Sequence, residues 1–329
     1  MSRIVRFRQK GGPEVLQFEE VEEAPPGPGE VTVKIKAIGL NRAESMFRSG
    51  PYVEDPVFPA RLGYEGAGLV TAVGPDVQGF AVGDAVSLIP TMSITQWGSY
   101  GETATFPADN LVKHPSTLGW EKAAAIWMQY VTAYGALIEI GELRKGDFVL
   151  ITAASSSVGL AAIQVALAVG AIPIAATRTF SKADALKRAG AAYVIATQEE
   201  DLASRVMDIT GGAGARLAFD PVAGPLLEHI AHAMAPHGLV IEYGALSSEA
   251  TPFPLFPSLM KFLTIHGFQY KQVVGDAEKL ERAKTFILDG LASGALDPII
   301  DRVFPLDQIV EAHRYLESNQ QFGKIVVTA

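Results

Sequence analysis

The chain has 329 residues, 48% hydrophobic and 19% charged, with a net charge of −9 and no cysteine. This balance excludes a disordered chain, and the length favours two domains over one. The acidity argues against a nucleic-acid partner, and the missing cysteines remove disulfides, thiol catalysis and the thiolate ligands that most zinc sites use. No run of eighteen apolar residues occurs, so no membrane-spanning helix is expected. The basic start MSRIVRFRQKGG has no apolar stretch behind it and does not read as a secretory signal, so a cytoplasmic protein is the expectation.

In chain order, residues 1–122 predict short strands at Ile4–Phe7, Leu16–Glu19, Glu30–Ala37, Gly68–Val73 and Asp84–Leu88. Turns rich in Gly and Pro, such as Pro25–Gly29 and Gly74-Pro75, separate them, which suggests a barrel-like β domain. From Glu121 to Glu142 the pattern is helical. Strands are then expected at Phe148–Thr152, Ile172–Ala176, Tyr193–Ile195, Ala215–Phe219, Leu239–Tyr243 and Phe262–His266. The intervening helices are Val158–Val169, Lys182–Arg188, Glu199–Ile209 and Pro225–Met234, giving an α/β chain with a doubly wound parallel sheet. A long helix at Ala277–Leu291, a strand near Asp301–Pro305, a helix at Leu306–Glu317 and a strand at Gly323–Thr328 complete the sequence.

One stretch organises this pattern. Gly146–Gln164 reads GDFVLITAASSSVGLAAIQ, a buried strand, a turn of small residues and a helix with apolar spacing at Leu160, Ile163, Val165 and Leu167. Such a unit opens a dinucleotide-binding fold, because unpaired N–H groups at the helix start suit a pyrophosphate. Ser155, Ser156 and Ser157 occupy positions where glycines are usual, so the stretch alone reads nearly as well as a serine-capped core helix.

Several ordered motifs add a resemblance. GLNRAESMFRSGPY (Gly39–Tyr52), LGYEGAGLV (Leu62–Val70), GSYGE (Gly98–Glu102), QYVTAY (Gln129–Tyr134), AASSSVGLAAIQ, DPVAG (Asp220–Gly224), Gly244 and Gly323-Lys324 together resemble the zinc-independent, quinone oxidoreductase-like branch of the medium-chain dehydrogenase/reductases. The resemblance implies a GroES-like β-rich catalytic domain in 1–122, a Rossmann-type NADPH-binding domain in 123–266, and a segment, 267–329, that returns to the catalytic domain. It also implies a homodimer, here expected through the Rossmann sheet edge at Phe262–His266. In zinc-dependent relatives the ligands come from a cysteine near position 40, a histidine in Gly-His-Glu and a third residue; here those regions read Leu40-Asn41 and Gly63-Tyr64-Glu65, so no metal is expected.

An NAD site places an acid at the end of the second strand of such a fold, whereas an NADP site needs cations. No acid lies between Ala171 and Ser181, while Thr177, Arg178, Ser181 and Lys182 offer hydroxyls and positive charge, so NADPH is favoured. Ser155, Ser156, Ser157, Val158 and Gly159 form the expected pyrophosphate turn. Gly244 would admit backbone close to the nicotinamide, and Phe268 would wall it. By resemblance Gln129 and Thr132 lie near the nicotinamide and Lys324 belongs to the same set. Tyr52, Asn41 and Tyr64 are the candidate catalytic residues. Each has a plainer alternative, respectively packing, loop fixation and filling of the vacated zinc space. The expected activity is NADPH-dependent hydride transfer to quinones or α,β-unsaturated carbonyls. An enoyl-thioester reductase, an alcohol/aldehyde dehydrogenase and a weakly catalytic NADPH-binding interaction protein are the alternatives.

Overall fold

Alternation at Glu30–Gly39 produces the ten-residue strand that anchors the first part of the chain, with Val31, Val33, Ile35 and Ala37 buried. The computed structural model describes residues 1–50, 52–115 and 118–329; Pro51 of the GLNRAESMFRSGPY stretch lies outside them. The elements begin with β1 (Ser2–Phe7), β2 (Gln17–Val21), β3 (Glu30–Gly39), α1 (Arg42–Ser49), β4 (Ala60–Arg61) and β5 (Gly66–Val73). Next come β6 (Ala85–Leu88), β7 (Thr103–Pro107), β8 (Leu111–Lys113), α2 (Trp120–Ala123) and α3 (Trp127–Tyr134). The alternating region holds β9 (Phe148–Ile151), α4 (Ser157–Ala168), β10 (Ile172–Thr177), α5 (Ala183–Arg188), β11 (Tyr193–Ala196) and α6 (Leu202–Ile209). It continues with β12 (Ala215–Asp220), α7 (Leu226–Ala233), β13 (Met234–Glu242), α8 (Leu255–Lys261), β14 (Thr264–Gly267), α9 (Lys271–Val274) and α10 (Ala277–Ser293). The chain ends with β15 (Ile300–Pro305), α11 (Ile309–Glu317) and β16 (Lys324–Thr328).

Contacts divide the chain into two units, Met1–Met128 with Pro298–Ala329, and Gln129–Asp297. In the first, the larger sheet runs β15-β16-β3-β5-β6-β8 with β7 also paired to β3, and a smaller one runs β2-β1-β4. Antiparallel pairing of β16 with β3 sets Val326 opposite Gly39 and Val327 opposite Ile38, so the two ends of the chain share one sheet. In the second unit six parallel strands run β11-β10-β9-β12-β13-β14, the doubly wound order with its switch point between β9 and β12. Val149, Leu150 and Ile151 of β9 are fully buried, as a central parallel strand requires. Helix α10 stays with this unit: Arg282 bonds Glu139 at 2.9 Å, and Phe286 packs on Tyr134 with ring centroids 5.1 Å apart.

Local departures from the expected elements have physical causes. The continuous helix expected over 121–142 is broken after Ala123 and relaxes into a π-helical turn at Gly135–Ile140. Side chains of Val273 and Phe268 press on Gly135 there; a Cβ would lie 2.4 Å from Val273 Cγ2. The last strand of the sheet starts at Thr264 because Phe262 takes a left-handed conformation (φ 54°) that ends α8, a helix that the apolar run concealed. Among the described residues no helix is long and apolar enough to cross a membrane.

Candidate active site

In the first unit the site is organised at the start of α1. Asn41 is the N-cap, and Glu44, three residues on, returns its carboxylate to the Asn41 N–H at 2.7 Å. The Asn41 amide nitrogen donates to the Gly39 carbonyl and to Glu65 Oε1, both at 3.2 Å, and its Oδ1 accepts from Lys324 Nζ at 2.7 Å. Lys324 and Glu65 form an ion pair with side chains 0% and 1% exposed, and Glu65 Oε2 also accepts from the Met128 N–H at 3.0 Å. Such a pair survives burial only with further hydrogen bonds like these. Lys324, expected with the cofactor set, therefore lies in the first unit and is engaged by Glu65 and Asn41.

Tyr64 is buried, its N–H donates to Glu44 Oε1 at 2.9 Å, and its hydroxyl lies 2.6 Å from the Tyr52 hydroxyl. Tyr52 packs edge-on against Phe47. Burial pushes the Tyr52 pKa up to about 12, and the nearby Glu44 and Glu54 carboxylates act in the same direction against the hydrogen bond to Tyr64. Tyr52 therefore keeps its hydroxyl proton at neutral pH. Asn41 and Tyr64 thus meet at one carboxylate, Glu44, and Tyr52 joins them through the Tyr64 hydroxyl.

In the second unit β9 ends at Ile151, and Ala153 turns the chain with φ 43°. Ser156, the N-cap of α4, accepts from the Gly159 N–H at 3.1 Å. Gly159 is required by close approach, since a Cβ would lie 2.7 Å from Ala154 Cα. Ser157 and Val158 open the helix. Lys182 Nζ donates to Ser155 Oγ at 3.3 Å, linking the turn after β10 to the serine turn. Thr177 closes β10, Arg178 follows it on the surface, and the Thr179 and Ser181 hydroxyls lie 2.9 Å apart. These groups gather at the carboxyl ends of β9 and β10, beside the switch point where such sheets bind ligands.

Gln129 and Thr132 are buried on α3, and Gln129 Oε1 has no hydrogen-bond partner among the described residues. Gly244 follows β13; a Cβ there would lie 2.9 Å from the Pro221 carbonyl oxygen. Phe268 is buried, and its N–H donates to the Glu242 carbonyl at 2.8 Å.

Comparison with known proteins gives this geometry its context. Residues 27–116 match the alcohol dehydrogenase GroES-like domain, and residues 157–287 match the zinc-binding dehydrogenase family. A quinone oxidoreductase of Pseudomonas aeruginosa is 32% identical over 333 residues, covering 99% of both chains. The chain belongs to the medium-chain dehydrogenase/reductase family, in its quinone oxidoreductase-like branch. It is an oxidoreductase of that family. A 2-haloacrylate reductase of a Burkholderia species is 29% identical, with 98% of this chain and 97% of the relative covered. The structure of Escherichia coli quinone oxidoreductase complexed with NADPH superposes with a TM-score of 0.91, at 31% identity, covering 99% of this chain and all of the other.

Zinc-using members of this family need a donor set that these residues do not form. Asn41 is spent on its neighbours, Tyr64 is paired with Tyr52, and among the described residues no group of three or more His, Cys, Asp or Glu side chains is placed to hold a metal ion. A dinucleotide suits the second unit better. It offers a capped helix N-terminus, cationic residues after β10 and a buried acceptor on Gln129.

Sequence reasoning missed two carboxyl clusters. One is Glu44 with Tyr100 and His313; only the Asn41-x-x-Glu44 capping spacing hinted at it. The other lies at the ends of β12 and β13, where the register sets Asp220 beside Glu242. Asp220 is fully buried and accepts from the Thr152 hydroxyl and from the Ala223 N–H. Burial and the Asp220 charge push Glu242 up to about 9.

Proposed function

We propose that the protein is an NADPH-dependent, zinc-independent reductase that transfers hydride to quinones or α,β-unsaturated carbonyl compounds. When bound, NADPH supplies the hydride. The N–H groups and partial positive charge at Ser155–Gly159 take its diphosphate. Arg178, Lys182, Thr177 and Ser181 take the 2′-phosphate, with Arg178 able to engage two oxygens at once. Gln129, Thr132, Gly244 and Phe268 hold the nicotinamide, the bare Gln129 Oε1 accepting from its carboxamide.

At the reacting end Tyr52 and Tyr64 donate hydrogen bonds to the substrate oxygen, and one of them delivers the proton as that oxygen gains charge. Asn41 keeps the loop beneath them fixed. For a quinone the product is the hydroquinone; for an enone the β-carbon takes hydride and the oxygen takes the proton. The observation that supports the reading is the 2.6 Å hydroxyl pair; by the family resemblance its Tyr64 member stands where metal-dependent relatives carry a zinc-ligating histidine. Likeness to a 2-haloacrylate reductase favours an activated carbon–carbon double bond as one substrate class.

We further propose a cytoplasmic homodimer joined at the β14 edge. Close by in sequence, Phe253, Leu255, Phe256, Leu259, Met260 and Phe262 are between 50% and 79% exposed. The deciding assay is NADPH oxidation with a quinone, an enone, an enoyl-thioester and an aldehyde, before and after dialysis against a chelator. Turnover of the first two, insensitive to the chelator, is expected. NADPH binding without turnover of any substrate would overturn the reading in favour of a binding protein. Tyr52→Phe should lower kcat at least tenfold with little change in KM, and an unchanged kcat would remove Tyr52 from the reaction.

A further inference from the structure

We infer that Glu44 is the positioning residue of the reacting end: one carboxylate, linked through the Tyr100 hydroxyl to His313, holds the backbone amides of both Asn41 and Tyr64. This rests on the reading of Asn41, Tyr52 and Tyr64 given above.

Glu44, Tyr100 and His313 are all 0% exposed. Glu44 Oε1 accepts from the Tyr64 N–H at 2.9 Å, and Oε2 accepts from the Asn41 N–H and the Tyr100 hydroxyl, each at 2.7 Å. Three donors converge on a group that donates to none of them, which is the arrangement of an ionised carboxylate. Tyr100 has spent its only proton on Glu44, so its oxygen accepts from His313 Nε2 at 2.9 Å. The proton of His313 is therefore on Nε2, and Nδ1 is a bare lone pair without a partner among the described residues. Burial, with the charges of Arg48 and Arg42, pushes His313 down to about 3 and keeps it neutral.

Protonating Glu44 reverses this chain. Amide N–H groups cannot accept, so the new proton must go to the Tyr100 oxygen. Tyr100 then turns its own proton to His313 Nε2, and the imidazole proton moves to Nδ1, where no acceptor waits. A buried donor left unsatisfied is costly, and the alternative is loss of the bond to Tyr64 or Asn41. Either outcome disturbs the backbone beneath the tyrosine pair.

The charged and titratable groups around Glu44 come from several elements: Arg48 on α1, Tyr64 and Glu65 on the 64–65 turn, Tyr100, His313 on α11, Lys324 on β16, and Tyr52, which feels its charge. Burial raises Glu44 to about 7, opposed by its hydrogen bonds and by Lys324, so the reversal falls in the working pH range.

The test measures kcat and KM between pH 5.5 and 9 for the full chain with NADPH and a quinone. Wild type should lose turnover severalfold below an apparent pKa near 7, with KM for NADPH nearly constant. Glu44→Gln should flatten that limb and lower the plateau about tenfold, whereas Glu44→Asp, which keeps the charge, should retain the limb. Tyr100→Phe removes one bond to the carboxylate and should move the limb to higher pH. In wild type, nitrogen NMR of His313 should show Nε2–H above the limb and Nδ1–H below it. A merely structural Glu44 would lower thermal stability in these variants and leave limb and tautomer unmoved, which overturns the inference. Tyr100→Phe carries the test if Glu44→Gln does not fold. Should Tyr52→Phe and Tyr64→Phe both leave kcat unchanged, the reading of the reacting end falls. Should they lower kcat while the limb stays in place in Tyr100→Phe, only the role of Glu44 falls.

Discussion

Replacing Glu242 with glutamine should stabilise the protein, and increasingly so as pH rises. The Glu242 and Asp220 carboxyls sit at the ends of adjacent strands, and Asp220 already has two donors, from Thr152 and Ala223. Among the described residues neither oxygen of Glu242 has a hydrogen-bond donor of its own. Burial first, and the Asp220 charge second, raise Glu242 to about 9. An acid with a raised folded-state pKa binds its proton more tightly when folded than when unfolded. The stability this provides is full below the unfolded value, near 4.5, and is lost as pH rises towards 9. Holding the proton at pH 7 corresponds to about 3 kcal/mol at 1.36 kcal/mol per pH unit. Solvent at the strand end screens part of this, leaving about 2 kcal/mol.

Glu242→Gln keeps the size, removes the charge and offers an amide N–H to Asp220. At about 2 kcal/mol, a unit of this size gains roughly 4–8 °C in Tm. Melting curves of both proteins at pH 5, 7 and 9 provide the check. They should nearly coincide at pH 5 and separate at pH 9, with the variant higher. Parallel Tm–pH curves would refute the buried-carboxyl argument.

The remaining expectations concern charge at two other places. Arg178→Glu should raise the KM for NADPH at least tenfold while changing the KM for NADH much less, because only the former carries a 2′-phosphate; steady-state kinetics with both cofactors decide it, and equal effects would refute the assignment. Lys324→Met should cost about 3–5 kcal/mol in urea unfolding, since it strands the Glu65 carboxylate in a fully buried site. Adding Glu65→Gln to that variant should recover part of the loss, and strict additivity of the two costs would contradict the pairing.

How far the sequence revealed the molecule depended on how local each signal was. The strand–turn–helix at Phe148–Gln164 was legible because its cause lies within the stretch: a short apolar run, small residues, then helical spacing. The doubly wound parallel sheet was legible from the alternation of strands and helices along the chain, whereas the order of its six strands comes from the structure. Helix α8 was hidden because its apolar face is exposed, so its residues look like the buried strand next to them. Glu44 was half legible, since its bond to Asn41 spans three residues, but its link to His313 joins residues far apart in sequence that the pairing of β16 with β3 and the packing of α11 on α1 bring together.

Tyr64 shows most clearly what that difference means. From the sequence, by resemblance, it is a residue in the place of a metal ligand, with filling of the vacated space a better account than chemistry. Its surroundings change the balance, because its hydroxyl meets Tyr52 while its amide is held by the carboxylate that also holds Asn41. A side chain that merely filled a vacated space would need neither bond. In the proposed site a pair of tyrosine hydroxyls takes the place of a divalent cation, which changes what the site must control. A metal polarises an oxygen by charge that needs no proton, whereas a tyrosine pair works only while it holds its protons and its geometry. Burial keeps the Tyr52 proton in place, and the buried Glu44 carboxylate holds the Tyr64 and Asn41 amides, so in the proposed reaction this acidic residue supports the hydroxyl pair.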